Sequence, residues 1–177
     1  MNLQPGHTVV HPHHGPATVM GVQTRTLRGK KIEYVDLEIT DGKLEVSVPA
    51  DSIEEIGLRE LANEKELGKL AKVLAGPSGQ QENQWSRRIK AQREEVASGD
   101  PIRLAGVVRD LVRRSQESTL GTAEKDLLRQ AAAPLTAEVA LAVGVDEDKA
   151  YDVMCQMVVD ESTDSLNDLA KPERTAT

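Results

Sequence analysis

The first fifty residues alternate between apolar and polar positions. Val35, Leu37 and Ile39 fall on one side of a period of two and Tyr34, Asp36 and Glu38 on the other, as in a strand covered on one face. Further runs rich in β-branched residues, Thr8-Val9-Val10, Ala17-Thr18-Val19-Met20 and Leu44-Glu45-Val46-Ser47-Val48, are broken by Gly and Pro. Arg28-Gly29-Lys30 and Asp41-Gly42 supply turns between them. Short strands at this spacing predict a small antiparallel β-barrel.

After Ser52 the period becomes that of a helix. Leu58, Leu61, Leu67, Leu70, Val73 and Leu74 form one apolar face, and Gly76-Pro77-Ser78-Gly79 ends it. A second helix is predicted from near Glu82-Asn83 to Ser98-Gly99. The third has a defined start, with Asp100 as N-cap and Pro101 at N1, followed by Ile102, Leu104, Val107, Val108, Leu111 and Val112. A fourth begins at Thr122, runs through Leu127 and Leu128, and is kinked or divided at Pro134. The last starts near Asp146 and buries Tyr151, Met154, Met157 and Val158. The pattern predicts an α+β chain: a β-barrel module over residues 1–53, an all-α bundle of about five helices over 58–159, and an acidic, disordered tail over 160–177.

Composition narrows the chemistry. The chain has no Phe, one Trp and two Tyr, so the cores must be aliphatic. The single cysteine, Cys155, excludes an intrachain disulfide and reads as a buried, inert thiol beside Met154 and Met157. The N-terminus lacks a basic and apolar leader, and no run approaches a membrane span, which points to a soluble, cytoplasmic chain. The net charge of −7 argues at first against nucleic acid. Its distribution changes that picture: residues 85–115 hold eight basic and four acidic side chains, whereas 116–177 hold five and thirteen.

Four histidines, His7, His11, His13 and His14, lie within eight residues. Pro12 interrupts them and no carboxylate is near in sequence, so a strand end and turn is favoured over a metal site. There is no phosphate loop, no nucleophile elbow and no histidine elsewhere to serve as a base, so no catalytic residue, metal or cofactor is expected. Carboxylates such as Asp36, Glu38 and Asp41 are ordinary on the wet face of a strand. The distinctive segment is Trp85-Ser86-Arg87-Arg88-Ile89-Lys90. On a helix, Ile89, Gln92 and Val96 fall within about 40° of Trp85 and Arg88 within about 60°, which makes Trp85 a candidate core residue. Its place at the helix start, after a polar loop and amid the densest positive charge, instead suits an apolar wedge beside phosphate-binding cations. Arg103, Arg109, Arg113 and Arg114 on the next helix read as a solvated face, with Asp110 and Arg114 an exposed i,i+4 pair.

The chain resembles the CarD family. Gly6-x-x-Val9-Val10-His11-Pro12-x-His14-Gly15 is similar to the opening of the polymerase-interacting domain shared by CarD-type regulators and transcription-repair coupling factors, where His11 is more often Tyr. Thr24-Arg25-Thr26, Tyr34, Val48-Pro49-Ala50 and Gly57 continue the likeness. In the helical half, Asn83-x-Trp85-Ser86-Arg87-Arg88-x-Lys90, Ala97-Ser98-Gly99-Asp100, Val107-Val108-Arg109-Asp110-Leu111 and Gln116-Glu117 are similar to actinobacterial CarD proteins.

The resemblance implies an SH3- or Tudor-like barrel that docks on the β subunit of bacterial RNA polymerase, at its protrusion and lobe, by pairing an edge strand. Leu44, Val46, Ser47 and Val48 lie on the candidate strand, and Arg25 matches a polymerase-contacting basic residue. Ser47 stands where mycobacterial relatives carry Arg, which implies a weaker or redistributed contact. The helical module would bind promoter DNA at the upstream edge of the transcription bubble, with Trp85 as the wedge and Arg87, Arg88 and Lys90 on phosphates. The implied protein is a monomer that stabilises the open complex without touching a membrane. The competing expectation is a polymerase-docked adaptor whose helical module binds another protein, with Trp85 in its core.

Overall fold

The computed structural model describes residues 1, 3–40, 44–79 and 82–169. The chain divides into two compact units, Met1–Leu61 and Ala62–Thr177. Each unit has its own aliphatic core.

The first unit is a five-stranded antiparallel sheet of the Tudor-like class. Its strands are β1 (Thr8–His11), β2 (Gly15–Leu27), β3 (Lys30–Ile39), β4 (Glu45–Pro49) and β5 (Arg59–Glu60), in the spatial order β4-β3-β2-β1-β5. The expected alternation holds in β3, where Val35 and Leu37 are fully buried and Asp36 and Glu38 are not. Together with Val9, Ala17, Val19, Val48 and Leu58 they form the core of the unit. β2 and β3 run well beyond the apolar positions that announce them, as a long two-stranded ribbon paired from Ala17↔Ile39 to Leu27↔Lys30 with one irregularity at Val19/Gly21. Arg28 and Gly29 close the ribbon with φ of 49° and 79°, both positive as a type I′ hairpin turn requires. The turn expected at Asp41-Gly42 lies outside the described residues.

Leu58 and Leu61 do not begin a helix. A short helix α1 (Ile53–Ile56) stops at Gly57, whose φ of 83° suits glycine, and Leu58 then turns into the β core. Arg59 and Glu60 pair with Val10 and Val9, so the unit extends eight residues past the expected boundary at 53.

The second unit contains α2 (Glu64–Ala75), α3 (Trp85–Ala97), α4 (Pro101–Glu117), α5 (Thr122–Val143), α6 (Glu147–Asp160) and α7 (Asp164–Leu169). Leu74, Val108, Leu111, Met154, Met157 and Val158 are fully buried at its centre. Capping follows the sequence closely. Asn63 and Glu66 form a reciprocal capping box on α2, Asp100 accepts from the Ile102 and Arg103 amides of α4, and Asp146 accepts from that of Lys149 in α6. Pro134 lies inside α5, which runs unbroken from Thr122 to Val143. The tail expected from residue 160 needs correction: residues 164–169 form α7, and Leu166 is buried in the helical core. An apolar side chain with a core surface to cover overrides the acidic composition around it. Residues 170–177 lie outside the described residues.

Candidate functional site

Two surfaces carry the residues singled out in the sequence, one on each unit. On the β unit, β4 is an edge strand: it pairs with β3 and, among the described residues, with no other strand. Val48 is buried and Val46 half-buried, both packed on the β core. Val48 can therefore offer a partner only its backbone, and Val46 its backbone and part of its side chain. Leu44 and Ser47 are exposed.

The β4 register places Ser47 opposite Asp36, and Arg25 reaches both from β2. Its Nη2 donates to Ser47 Oγ at 3.0 Å and to Asp36 Oδ1 at 3.3 Å, while the Ser47 hydroxyl donates to the same carboxylate oxygen at 2.5 Å. The guanidinium also lies 5.0 Å from the centre of the Tyr34 ring. With the Arg25 side chain 49 % exposed, the ion pair adds little stability, but two oxygens and an aromatic face fix where the charge points. Asp36, Ser47 and Tyr34 were not legible as Arg25 partners, because β3 and β4 bring them near only through strand register. Ser47 occupies a definite place here: it couples Arg25 to Asp36.

His11 ends β1, and His13 and His14 line the turn to β2. His11 is buried, its Nδ1 accepts from the His13 amide at 3.2 Å, and its ring centre is 4.7 Å from that of His14. Burial, then the neighbouring His14 and His13, lower its pKa to about 4. Among the described residues no three metal-ligating side chains converge. Burial likewise pushes up the Cys155 thiol, and Tyr151 to about 12, so neither is ionised at neutral pH.

The second surface is the start of α3. Trp85 is its first residue and is 55 % exposed, so the core placement does not hold. Ile89, one turn on, is buried at 4 % exposure and takes the core position instead. Arg87, Lys90 and Arg93 are exposed and make no ion pair among the described residues.

Arg88 is a correction. It is 8 % exposed, its Nη2 meets Glu124 Oε1 at 3.2 Å and its Nη1 donates to the Glu82 carbonyl at 3.3 Å. A phosphate cannot reach a guanidinium so enclosed and already paired. Three of the four α4 arginines are corrected in the same way, while Arg103 stays on the solvated face, 59 % exposed and 3.7 Å from Glu95. Arg109 pairs with Asp110 at 2.8 Å and donates to the Val73 carbonyl, Arg113 reaches Ser78, the Val158 carbonyl and Glu161, and Arg114 pairs with Glu124 at 2.8 Å. The expected Asp110–Arg114 pair is absent because each has a nearer partner. Half of the eight basic side chains in 85–115 are thus internal ties, and the free positive charge is concentrated on α3.

Residues 3–62 match the CarD-like/TRCF RID domain, and residues 69–155 match the domain described as CarD, C-terminal domain. A Tudor-like β unit followed by a helical unit of this kind defines the CarD-like class of transcription factors. The chain belongs to the CarD family. It is 24 % identical over 145 residues to a protein of Bacillus subtilis (strain 168) named "Putative transcription factor YdeB", an alignment spanning 82 % of this chain and 95 % of that protein.

Proposed function

We propose that the protein docks on the β subunit of RNA polymerase through the free edge of β4 and the Arg25 face, and stabilises the promoter open complex by placing Trp85 in the minor groove at the upstream edge of the bubble. The carrying observation is the exposed Trp85 at a helix start, with Arg87 and Lys90 exposed beside it and making no ion pair among the described residues. The exposed indole offers a large apolar area that a partner can bury, with a polar N–H at its rim. An indole flanked by free cations suits an unstacked base step flanked by phosphates.

The size of the effect follows from stacking. An aromatic on an exposed base is worth about 1 to 3 kcal/mol, and about 1.4 kcal/mol is a factor of ten in an equilibrium. Trp85→Ala should shorten open-complex lifetime by about tenfold while leaving polymerase binding unchanged. Equal lifetimes for the variant and the parent protein, with both bound to polymerase, would remove the wedge and leave the adaptor reading of the helical unit.

A further inference from the structure

Five helices of the second unit are longer than ten residues, and α3 stands apart from the other four at its N-terminus. Asn63, Asp100 and Asp146 cap α2, α4 and α6 with their side chains. On α5 the Glu124 carboxylate turns back to accept from the Gly121 amide at 3.0 Å. The α3 N-cap is Gln84, whose side chain makes no capping bond. An uncapped first turn leaves amide groups unsatisfied and frays readily. That turn carries Trp85.

Arg88 ties this turn down from the other side. One guanidinium nitrogen donates to the carbonyl of Glu82, in the loop leading into Trp85, and another meets Glu124 at the start of α5. Glu124, 2 % exposed, holds the tie in place: its Oε1 also accepts from Arg114 Nε at 2.8 Å, while its Oε2 closes the α5 cap. One carboxylate therefore joins the start of α3, the last turn of α4 and the start of α5.

Stability alone does not account for this arrangement. Replacing buried ion triads with aliphatic side chains of similar size is often neutral or stabilising, because desolvation consumes much of the attraction. Arg88 adds a further cost, since its Nε is buried with no hydrogen-bond partner among the described residues. What an aliphatic side chain cannot supply is a directional hold on the backbone three residues before Trp85.

We infer that Arg88 and Glu124 are positioning residues for Trp85: through the Glu82 carbonyl and the Arg114 pair they fix the direction in which the exposed indole leaves the helical unit. The functional side of this inference rests on the wedge reading, but the positioning itself does not.

The chain has a single tryptophan, so fluorescence reads the position directly. The test uses the full chain and compares Arg88→Met, which keeps packing volume and leaves the Glu124–Arg114 pair intact, with Glu124→Gln, which removes the shared charge. Time-resolved anisotropy of Trp85 in the free protein, read well below the melting temperature of each variant, should gain a fast local component in both variants. An unchanged anisotropy decay in folded Arg88→Met overturns the inference.

On promoter complexes, Arg88→Met should shorten lifetime by about 2- to 10-fold, from the low end of coupling between neighbouring residues up to the loss of the indole itself. The same substitution placed in Trp85→Ala should shorten it no further. Equal losses in both backgrounds would show that Arg88 acts independently of the indole and overturn its positioning role. If Trp85→Ala itself leaves lifetimes unchanged, the wedge reading fails and the anisotropy result still decides the positioning.

Discussion

The helical unit shows how poorly charge in a sequence reports charge at a surface. Arg87 and Arg88 are adjacent and identical, yet one is exposed and the other enclosed by Glu82, Glu124 and the helix core. Periodicity places Arg88 about 60° from the apolar stripe, but its partner lies 36 residues away on α5 and no local pattern announces it. Burial by itself would raise the Glu124 carboxyl; the Gly121 amide and the two arginines outweigh it and hold the group below its usual value. Its stabilising contribution is therefore present above the unfolded pKa and is lost as pH falls through the lowered folded one. His11 behaves in the same sense. Its folded pKa is depressed from 6.5 to about 4, so the unfolded chain binds the extra proton first. The β unit should be at full stability above pH 6.5 and lose it progressively toward pH 4, and His11→Tyr should flatten that slope in denaturant melts at graded pH.

At the scale of elements, legibility tracks how local the cause is. Asp100-Pro101 announced α4 to the residue, because an N-cap and a proline at N1 act within one turn. Asp100→Ala should cost about 1 kcal/mol in a urea melt, the usual penalty for losing a cap that accepts from two amides. The β2–β3 ribbon was harder to see. Its outer half exposes both faces, Met20, Val22, Arg25 and Leu27 among them, so no alternation marks where it ends. β5 was missed for a related reason: two residues held by β1 leave no periodic signal, and Leu58 and Leu61 happen to continue the spacing of α2. α7 was hidden by the acidic residues around Leu166.

For the whole molecule, two separate cores carry two separate surfaces, and the net charge of −7 is compatible with DNA contact because the exposed Arg87, Lys90 and Arg93 lie together on one helix. Each phosphate contact releases roughly one counterion, so Arg87, Lys90 and Arg93 would give a salt dependence of only about the third power, and weak binding alone. Tethering through polymerase would supply effective concentration instead. The two surfaces should then separate in a titration. Arg25→Glu should raise the concentration needed for half-maximal open-complex stabilisation by about tenfold, with the plateau restored at high protein. Trp85→Ala should lower the plateau at any concentration. A lowered plateau for Arg25→Glu would place its effect beyond recruitment.

The open flank of β4 has one more consequence. Backbone groups that can accept a strand from polymerase can also accept one from a second copy of this chain, the route by which sheets join into aggregates. Here the strand is only five residues long, Glu45 and Ser47 are its exposed positions, and Pro49 ends it without an amide proton. Short length, one negative charge and a missing donor all limit how far a copy could zip along the edge. On the docking proposed above, a partner with a complementary strand and basic side chains would meet the same features as recognition, so the chemistry that discourages self-association would also select the partner.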